Sequence, residues 1–385
     1  MKIIIFGLSI TSSWGNGHAT TFRALCQALN RRGHRIVFFE RNQEWYQSNR
    51  DLTEPPYCDV RLYRTWNEVL PSVRKELRDA DLAMVGSYFP DGVAALDEVS
   101  DSSLPVKVFY DIDTPITAAH LTKIGKTDYL LPRHLPDLDI YFSFTGGPLL
   151  RQLEDRFGVR RAVPLYCSVD PERHRELQSR REFEWDLSYM GTYAPDRQPK
   201  LEELLCRPAR QLAKRKFIVA GPQYPAALEW PTNVERVMHL SPRHHPSFYC
   251  SSRLTLNVTR RDMVIAGYSP SVRLFEAAAC ASAIVSDNWP GLETFFVPGQ
   301  EVLLAGVSED VTRYIAGYDS GELRRIGRAA CERVLATHTS DIRAREFEQA
   351  VDAALRKIKQ PRVVAAETFP KSRIPGASFR GEGSI

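Results

Sequence analysis

Short apolar segments alternate along the chain with segments whose apolar residues recur every three or four positions. Short apolar runs predict buried β-strands, and the recurring spacing predicts amphipathic helices. The first series of predicted strands is Lys2–Gly7, Arg35–Glu40, Val60–Tyr63, Leu82–Gly86, Val106–Asp111 and Ile140–Phe144. Strands that alternate with helices in this way form a parallel sheet with helices on both faces.

Two helices of this first half have recognisable ends. One is predicted over Ala19–Arg32, and Gly33 stands where a glycine commonly follows a helix. Another begins at Pro148, a residue favoured in the first helical turn, and ends at Gly158.

A second series of the same kind follows the charged stretch 171–184. Its predicted strands are Asp186–Met190, Lys216–Gly221, Arg253–Val258, Ala283–Asp287 and Glu301–Leu304. Its predicted helices are Pro199–Leu205, Leu274–Cys280 and Gly321–Ala336, and a last helix covers Ser340–Lys359. Both halves therefore predict doubly wound α/β domains.

The domain boundaries follow from these two series. We expect an N-terminal domain over residues 1–175, a C-terminal domain over 185–340, a terminal helix over 341–359 and a disordered Pro/Gly/Ser-rich tail over 361–385. Parallel sheets carry ligand-binding loops at the carboxyl ends of their strands. If those ends face each other, a ligand cleft forms between the domains.

Composition and charge restrict the class of protein. The 385 residues include 51 Lys and Arg and 47 Asp and Glu, a net charge of +4, with 43% hydrophobic residues. This excludes a disordered chain, a fibre and a coiled coil. The basic residues are dispersed among acids, so no nucleic-acid partner is expected. The apolar runs are too short for a transmembrane segment, and the first residues lack the pattern of a signal peptide.

Seven cysteines are scattered without Cys-x-x-Cys spacing. A disulfide framework and a structural zinc site are therefore not expected, and the interpretation is a reducing, cytoplasmic compartment.

The loop after the first predicted strand contains Gly15 and Gly17 and precedes a helix. Glycines allow a ligand to approach the backbone closely, and a helix N-terminus offers N–H groups to an anion. One alternative is a dinucleotide fingerprint with Glu40 as the ribose-binding acid, although Thr20 occupies the third glycine position. The other alternative is a helix-capping loop without a ligand.

Two polar positions near these loops are candidates for catalysis. The helix dipole would lower the pKa of His18 and favour a neutral imidazole that can act as a base, although a merely hydrogen-bonded histidine would fit equally. Asp111 and Asp113 follow the fifth strand as Asp-x-Asp, a pattern that can hold a divalent metal beside a diphosphate. Asp113 can instead face the cleft and bind a sugar or acceptor hydroxyl, or cap the turn at Pro115.

The stretch Gly267–Cys280 is the most informative part of the sequence. Ser269 and Ser271 lie in a polar loop that opens a helix of small residues, and Arg273 and Glu276 share one face of its first turns. Hydroxyls, backbone N–H groups and a guanidinium suit a diphosphate, and the carboxylate of Glu276 can accept hydrogen bonds from a ribose. The alternative is an Arg–Glu pair on a solvated helix.

These segments resemble the sugar-nucleotide motif of retaining GT-B glycosyltransferases, and the whole chain resembles the spore-maturation CgeB-like glycosyltransferases. The matching segments are Asp111–Pro115, Tyr189–Lys200, Val219–Pro225, Leu256–Arg260 and Tyr268–Glu276. The resemblance implies two Rossmann-like domains with a nucleoside diphosphate sugar bound as co-substrate to the C-terminal one. No cofactor is expected, and no divalent metal is required if Arg197, Arg260 and Arg273 stabilise the leaving diphosphate.

The resemblance also implies roles for single residues. The second Glu of the retaining family's Glu-x7-Glu falls on Glu276, whereas the first falls on Tyr268. The family's Gly-Arg-x4-Lys falls on Gly191, Thr192 and Arg197, so the first cation is lost and Arg260 or Arg273 would replace it. A catalytic His of some inverting GT-B enzymes resembles His18 in its Gly-His pair.

The sequence therefore predicts a metal-independent, retaining glycosyltransferase that acts on an unknown acceptor, with His18 and Asp113 as catalytic residues. The expected donor-binding residues are Gly15, Gly17, Arg197, Arg260, Ser269, Ser271, Arg273 and Glu276. Two alternatives are a GT-B-shaped protein that binds the nucleotide sugar without turnover, and a metal-dependent transferase that uses Asp111 and Asp113.

Overall fold

A computed structural model describes residues 1–15, 17–177 and 183–359 of the chain. The first half forms a parallel sheet of seven strands in the order β3-β2-β1-β4-β5-β6-β7. Its strands are β1 (Lys2–Phe6), β2 (Arg35–Arg41), β3 (Asp59–Tyr63), β4 (Leu82–Gly86), β5 (Val106–Asp111), β6 (Ile140–Ser143) and β7 (Ala162–Pro164). The strand order reverses between β1 and β4, and the loops that follow these strands open there.

The second half repeats this arrangement with six parallel strands in the order β10-β9-β8-β11-β12-β13. Its strands are β8 (Trp185–Met190), β9 (Phe217–Ala220), β10 (Val234–Val237), β11 (Ser252–Asn257), β12 (Ala283–Ser286) and β13 (Leu303–Leu304). Here the order reverses between β8 and β11.

Helices cover both faces of each sheet. Those of the first half are α1 (His18–Arg31), α2 (Glu44–Gln47), α3 (Trp66–Leu77), α4 (Gly92–Asp101), α5 (Thr114–Lys123) and α6 (Pro148–Phe157). Those of the second half are α7 (Gln198–Leu201), α8 (Arg207–Gln211), α9 (His245–Cys250), α10 (Arg261–Ala266), α11 (Val272–Ala279), α12 (Ser308–Gly317), α13 (Ser320–Thr337) and α14 (Ser340–Lys359). None of the helices in these described ranges combines the length and the apolar character needed to cross a membrane.

The structure confirms the prediction of two doubly wound α/β domains and adds two short strands, β7 and β10. β7 has only three residues and β10 carries two charged residues, so neither matches the pattern of a buried apolar run. The predicted helix over Pro199–Leu205 is divided into α7, a π-helical turn over Glu202–Cys206 and α8. Gly33 and Gly158 have φ angles of +85° and +73°, as expected for glycines that follow a helix.

The terminal helix α14 packs against the N-terminal domain although it follows the C-terminal domain in the chain. The Phe347 ring stacks on Phe142 with centroids 5.3 Å apart, and Arg32 pairs with Glu348 at 2.6 Å. The helix therefore covers one face of the first sheet and ties the two domains together. The predicted tail over 361–385 lies outside the described residues.

Candidate active site

The two sheets direct their carboxyl ends toward a shared cleft of about 700 Å³. The N-terminal domain contributes the loops after β1, β4 and β5, and the C-terminal domain contributes the loops after β8, β9 and β11. Loops at the switch points of both sheets therefore meet in one place, where doubly wound folds bind ligands.

The loop after β1 is held in place by Glu40 at the end of β2. The fully buried Glu40 carboxylate accepts hydrogen bonds from the backbone N–H groups of Ile10 (2.6 Å) and Thr11 (3.0 Å), from the Thr11 hydroxyl (2.6 Å) and from Ser9 (3.1 Å). These bonds occupy the acid that a dinucleotide fingerprint would offer to a ribose. Glu40 therefore shapes the cleft wall and does not face a ligand.

We expect Glu40→Gln to lower the free energy of unfolding by about 1–3 kcal/mol, because a buried N–H donor then loses its charged acceptor. Urea denaturation measures this change. Glu44→Gln, at an exposed position of α2, is the matched control and should change the free energy of unfolding by less than about 0.5 kcal/mol. Equal effects of the two substitutions would contradict the anchoring role.

His18 opens α1 and lines the cleft together with Asp113, which follows β5. Burial lowers the pKa of His18 below its usual range, and the nearby Asp113 carboxylate partly offsets this effect. The sequence predicted a lowered pKa from the helix dipole, whereas burial is the main physical cause. The imidazole is consequently neutral at physiological pH and able to accept a proton.

The two carboxylates of the Asp-x-Asp motif face different surroundings. Asp111 is fully buried, where its side chain accepts hydrogen bonds from the Tyr141 hydroxyl and from the backbone N–H of Asp113. Burial raises the pKa of Asp111 to about 6. Of these two acids only Asp113 lines the cleft. The described residues therefore do not present the pair as a shared metal site.

Arg273 projects from the first turn of α11 into the cleft wall and is 8% exposed. Its Nε donates to the Met190 carbonyl, its Nη1 donates to Asn257 Oδ1 at 2.9 Å, and its guanidinium lies over the Tyr189 ring. Since these partners and not Glu276 hold Arg273, the two residues are not a solvated ion pair.

Gly191 provides the space that Arg273 occupies. A Cβ at position 191 would lie 2.7 Å from Nη2 of Arg273, closer than a side chain allows. The hydroxyl of Ser271, at the N-cap of α11, donates to the same Asn257 Oδ1 at 2.7 Å. The arrangement fixes the guanidinium at the helix N-terminus.

Two further arginines line the same cleft. Arg197 caps α7 and donates to the Thr192 carbonyl at 2.6 Å. Arg260 follows β11 and reaches across the cleft, with its Nη1 4.0 Å from Asp113 Oδ2. Together with Arg273 they place three guanidinium groups on the C-terminal side. Gly15 and Gly17 line the opposite side.

Glu276 is 4% exposed and lines the cleft one turn after Arg273. Its Oε2 accepts a hydrogen bond from the Tyr249 hydroxyl at 3.1 Å, and the rings of His174 and His245 lie 3.6 Å from its two oxygens. Burial raises the pKa of Glu276, but the two histidines and Tyr249 outweigh burial and bring it to about 2. These three neighbours come from segments that are distant from Glu276 in the chain, and no local pattern pointed to them.

Ser269 lies at the junction of the two domains. Its hydroxyl is 2.9 Å from the Thr145 hydroxyl, and it lines a side cavity of about 240 Å³ that shares His18, Asp113 and Arg273 with the main cleft. Ser269 is thus set back from the main cleft. Ser271 does not line the main cleft either.

Tyr268 occupies the position of the family's first Glu and does not line the cleft. Its backbone has a φ angle of +48°, and its carbonyl accepts a hydrogen bond from Gly146 of the other domain at 2.9 Å. A Cβ at Gly147 or Gly291 would lie within 2.5 Å of its ring. The ring therefore fills the junction between the domains.

A family described as "Glycosyl transferase-like" matches residues 197–349. The C-terminal domain is similar to glycosyltransferases. The match covers α7 to α14, including Arg260, Arg273 and Glu276, and it confirms the expectation of a glycosyltransferase enzyme. A search of curated proteins found no match.

Solved structures confirm the GT-B fold over almost the whole chain. The sucrose-phosphate synthase from Thermosynechococcus elongatus is 13% identical with a TM-score of 0.69, and the match covers 93% of this chain and all of that one. HepE of Anabaena, solved in complex with UDP-glucose, is 12% identical with a TM-score of 0.65, covering 92% of this chain and all of that one. An α-glucosyltransferase in complex with UDP is 12% identical with a TM-score of 0.66, covering 91% and 100%.

Proposed function

We propose that this protein transfers a sugar from a nucleoside diphosphate sugar, bound mainly by the C-terminal domain, to an acceptor held by the N-terminal domain. The observation that carries the proposal is the cleft itself, where three arginines and Glu276 of one domain face His18 and Asp113 of the other. The UDP and UDP-glucose complexes of the structurally similar HepE support this class of donor.

The arginines suit the leaving group of such a reaction. Negative charge develops on the diphosphate as the bond to the sugar breaks, and fixed guanidinium groups stabilise that charge. Arg197, Arg260 and Arg273 are held by protein contacts before any ligand binds, so little reorganisation is needed. In this proposal Glu276 accepts hydrogen bonds from the ribose hydroxyls.

His18 and Asp113 serve the acceptor in this scheme. The acceptor oxygen approaches the anomeric carbon on the face from which the diphosphate departs. It forms a bond to that carbon while the bond from the carbon to the diphosphate oxygen breaks, and the hydroxyl proton passes to the neutral imidazole of His18. Asp113 orients the hydroxyl by accepting a hydrogen bond. The lowered pKa of His18 supports this role because it keeps the base form available.

We further propose that the configuration of the anomeric carbon is retained and that the protein belongs with the CgeB-like enzymes. The support is the resemblance of Tyr268–Glu276 to the motif of retaining GT-B enzymes. We place the reaction in the cytoplasm, because all seven cysteine thiols are unpaired.

A thermal-shift screen against UDP-, GDP-, dTDP- and CDP-sugars tests donor binding, because a ligand of the folded state raises the melting temperature. The selected donor is then incubated with candidate acceptors, and NMR of the product reports the anomeric configuration. Binding without transfer or hydrolysis would favour a GT-B-shaped binding protein without turnover. Inversion would overturn the proposed stereochemistry alone.

We expect transfer to proceed equally with and without added Mg²⁺ or Mn²⁺, since arginines take the place of a cation at the diphosphate and Asp111 does not reach the cleft. Initial rates in metal-depleted buffer, with and without each ion, measure this. A rate that rises tenfold or more on addition of either ion would support the metal-dependent alternative.

A further inference from the structure

His174, His245 and Glu276 come together in the wall between the donor cleft and a second cavity of about 570 Å³. His245 and Glu276 line the cleft, and His174 lines the second cavity. Nε2 of His174 lies 3.6 Å from Oε1 of Glu276, and Nδ1 of His245 lies 3.6 Å from Oε2. One ligand atom of each residue lies within 4.8 Å of the other two.

The contact of His245 Nε2 with a backbone carbonyl indicates which tautomer His245 adopts. Nε2 faces the Leu240 carbonyl at 3.4 Å, and because a carbonyl only accepts, Nε2 carries the hydrogen. With its hydrogen on Nε2, the ring presents the lone pair of Nδ1 to the Glu276 carboxylate. Two acceptors that face each other require a cation between them, either a proton or a metal ion.

His174 is 4% exposed, and neither of its ring nitrogens has a hydrogen-bond partner among the described residues. Nδ1 of His245 is also without a partner there. Buried polar atoms without partners are rare and unfavourable, so their presence beside one carboxylate indicates a site built for a ligand.

We propose that His174, His245 and Glu276 bind one divalent transition-metal ion, with Zn²⁺ as the best match. Two imidazoles and a carboxylate are a ligand set of zinc, and imidazole nitrogens disfavour Mg²⁺ and Ca²⁺. Zinc–ligand bonds of about 2.1 Å in a tetrahedron separate the ligand atoms by roughly 3.4 Å. Each imidazole nitrogen lies 3.6 Å from one of the two Glu276 oxygens, Oε1 for His174 and Oε2 for His245, so both carboxylate oxygens are within reach of the ion. The Leu240 carbonyl provides the outer-shell contact that orients His245.

The proposed metal site lies beside the nucleotide-sugar cleft and uses only some of the lone-pair positions of the Glu276 carboxylate. A carboxylate has about four lone-pair positions, of which the Tyr249 hydroxyl takes one, so the metal ion and a ribose hydroxyl can share it. Since His245 and Glu276 line the cleft, the site lies beside the proposed donor. The proposal is independent of the proposed function, because metal binding is measured without a donor.

Titration of the chelator-treated full chain with ZnCl₂, against a chromophoric chelator, tests the site. We expect one tightly bound Zn²⁺ per chain, and visible absorption bands of tetrahedral coordination when Co²⁺ is used as the probe. His174→Gln and His245→Gln should each weaken Zn²⁺ binding by about a hundredfold or more, at least as much as the loss of an outer-shell partner. Zn²⁺ should also raise the melting temperature of the parent protein.

His244→Gln is the matched control, because His244 precedes His245 at the start of α9 and is exposed. It should keep the affinity and the melting-temperature shift of the parent. If His174→Gln does not fold, His245→Gln is the decisive variant, because the His245 side chain is partly exposed and its substitution disturbs the core less. Equal Zn²⁺ affinity of the parent and His245→Gln would show that the ion binds elsewhere, and no binding by the parent would show that the cluster holds no zinc. Either result would overturn the proposal.

Discussion

Replacing Arg273 with glutamine is expected to weaken binding of a nucleoside diphosphate, the one identified by the thermal-shift screen, by about ten- to a hundredfold. The reason is the loss of charge-assisted hydrogen bonds to phosphate oxygens, about 1.5–3 kcal/mol. Arg273→Lys keeps the positive charge but loses the planar guanidinium, so the affinity of this variant for the diphosphate should lie between those of the parent and Arg273→Gln. The nucleoside without phosphates should bind all three proteins alike, and isothermal titration calorimetry measures each affinity.

Arg273 also contacts Met190 and Asn257, so its substitution affects stability as well as binding. Arg253→Gln is the matched control for this effect. Arg253 likewise donates to a backbone carbonyl, that of Tyr318 at 2.9 Å, and it does not line the cleft. We expect both glutamine variants to lower the melting temperature and only Arg273→Gln to lose affinity for the diphosphate. If Arg273→Gln binds diphosphate as tightly as the parent, Arg273 is a structural residue.

Replacing His18 with glutamine is expected to lower kcat about 10²- to 10⁴-fold, the usual contribution of a general base, with an unchanged affinity for the donor. Glutamine keeps hydrogen-bonding groups but cannot take the acceptor proton. His34→Gln is a suitable control because both histidines lie in the N-terminal domain and are 8% exposed, but His34 contacts Glu348 away from the cleft. The control should keep the parent's kcat.

The pH dependence provides a separate test of His18. Because burial lowers the pKa of His18, the parent's activity should rise with pH at values below about 6.5 and reach a plateau above it. The rise in activity follows deprotonation of the imidazole. The activity of His18→Gln should therefore not change with pH in this acidic range. An unchanged acidic limb in the variant, or a loss of donor affinity equal to the loss of kcat, would exclude His18 as the base.

The pattern of apolar residues determined the two parallel sheets because buried strands of this fold are nearly continuous apolar runs. All eleven predicted strands are present, with small differences at their ends. Short or partly exposed elements escaped prediction, since β10 has no apolar alternation and the cleft-lining start of α9 has no periodicity. Those segments owe their conformation to neighbours that are distant in the chain.

The candidate site shows the same division. Local patterns were enough to select Arg273 and Glu276, because a polar loop that opens a small-residue helix is visible in the fourteen residues Gly267–Cys280. Arg273 does not pair with Glu276, because it donates to Met190 and Asn257 instead. These two partners reach Arg273 only through the neighbouring strands of the folded sheet.

By itself the sequence determined the fold class, the number of domains and the loops that carry the polar residues, since periodicity and turn residues act over short stretches of chain. Only the tertiary structure decided which polar groups share a space. It buried Asp111 and Glu40, turned Tyr268 into the domain junction and placed His174 and His245 beside Glu276. The physical reason is that burial, pKa and ligand geometry depend on contacts between distant segments, some of them more than a hundred residues apart, which no local pattern encodes.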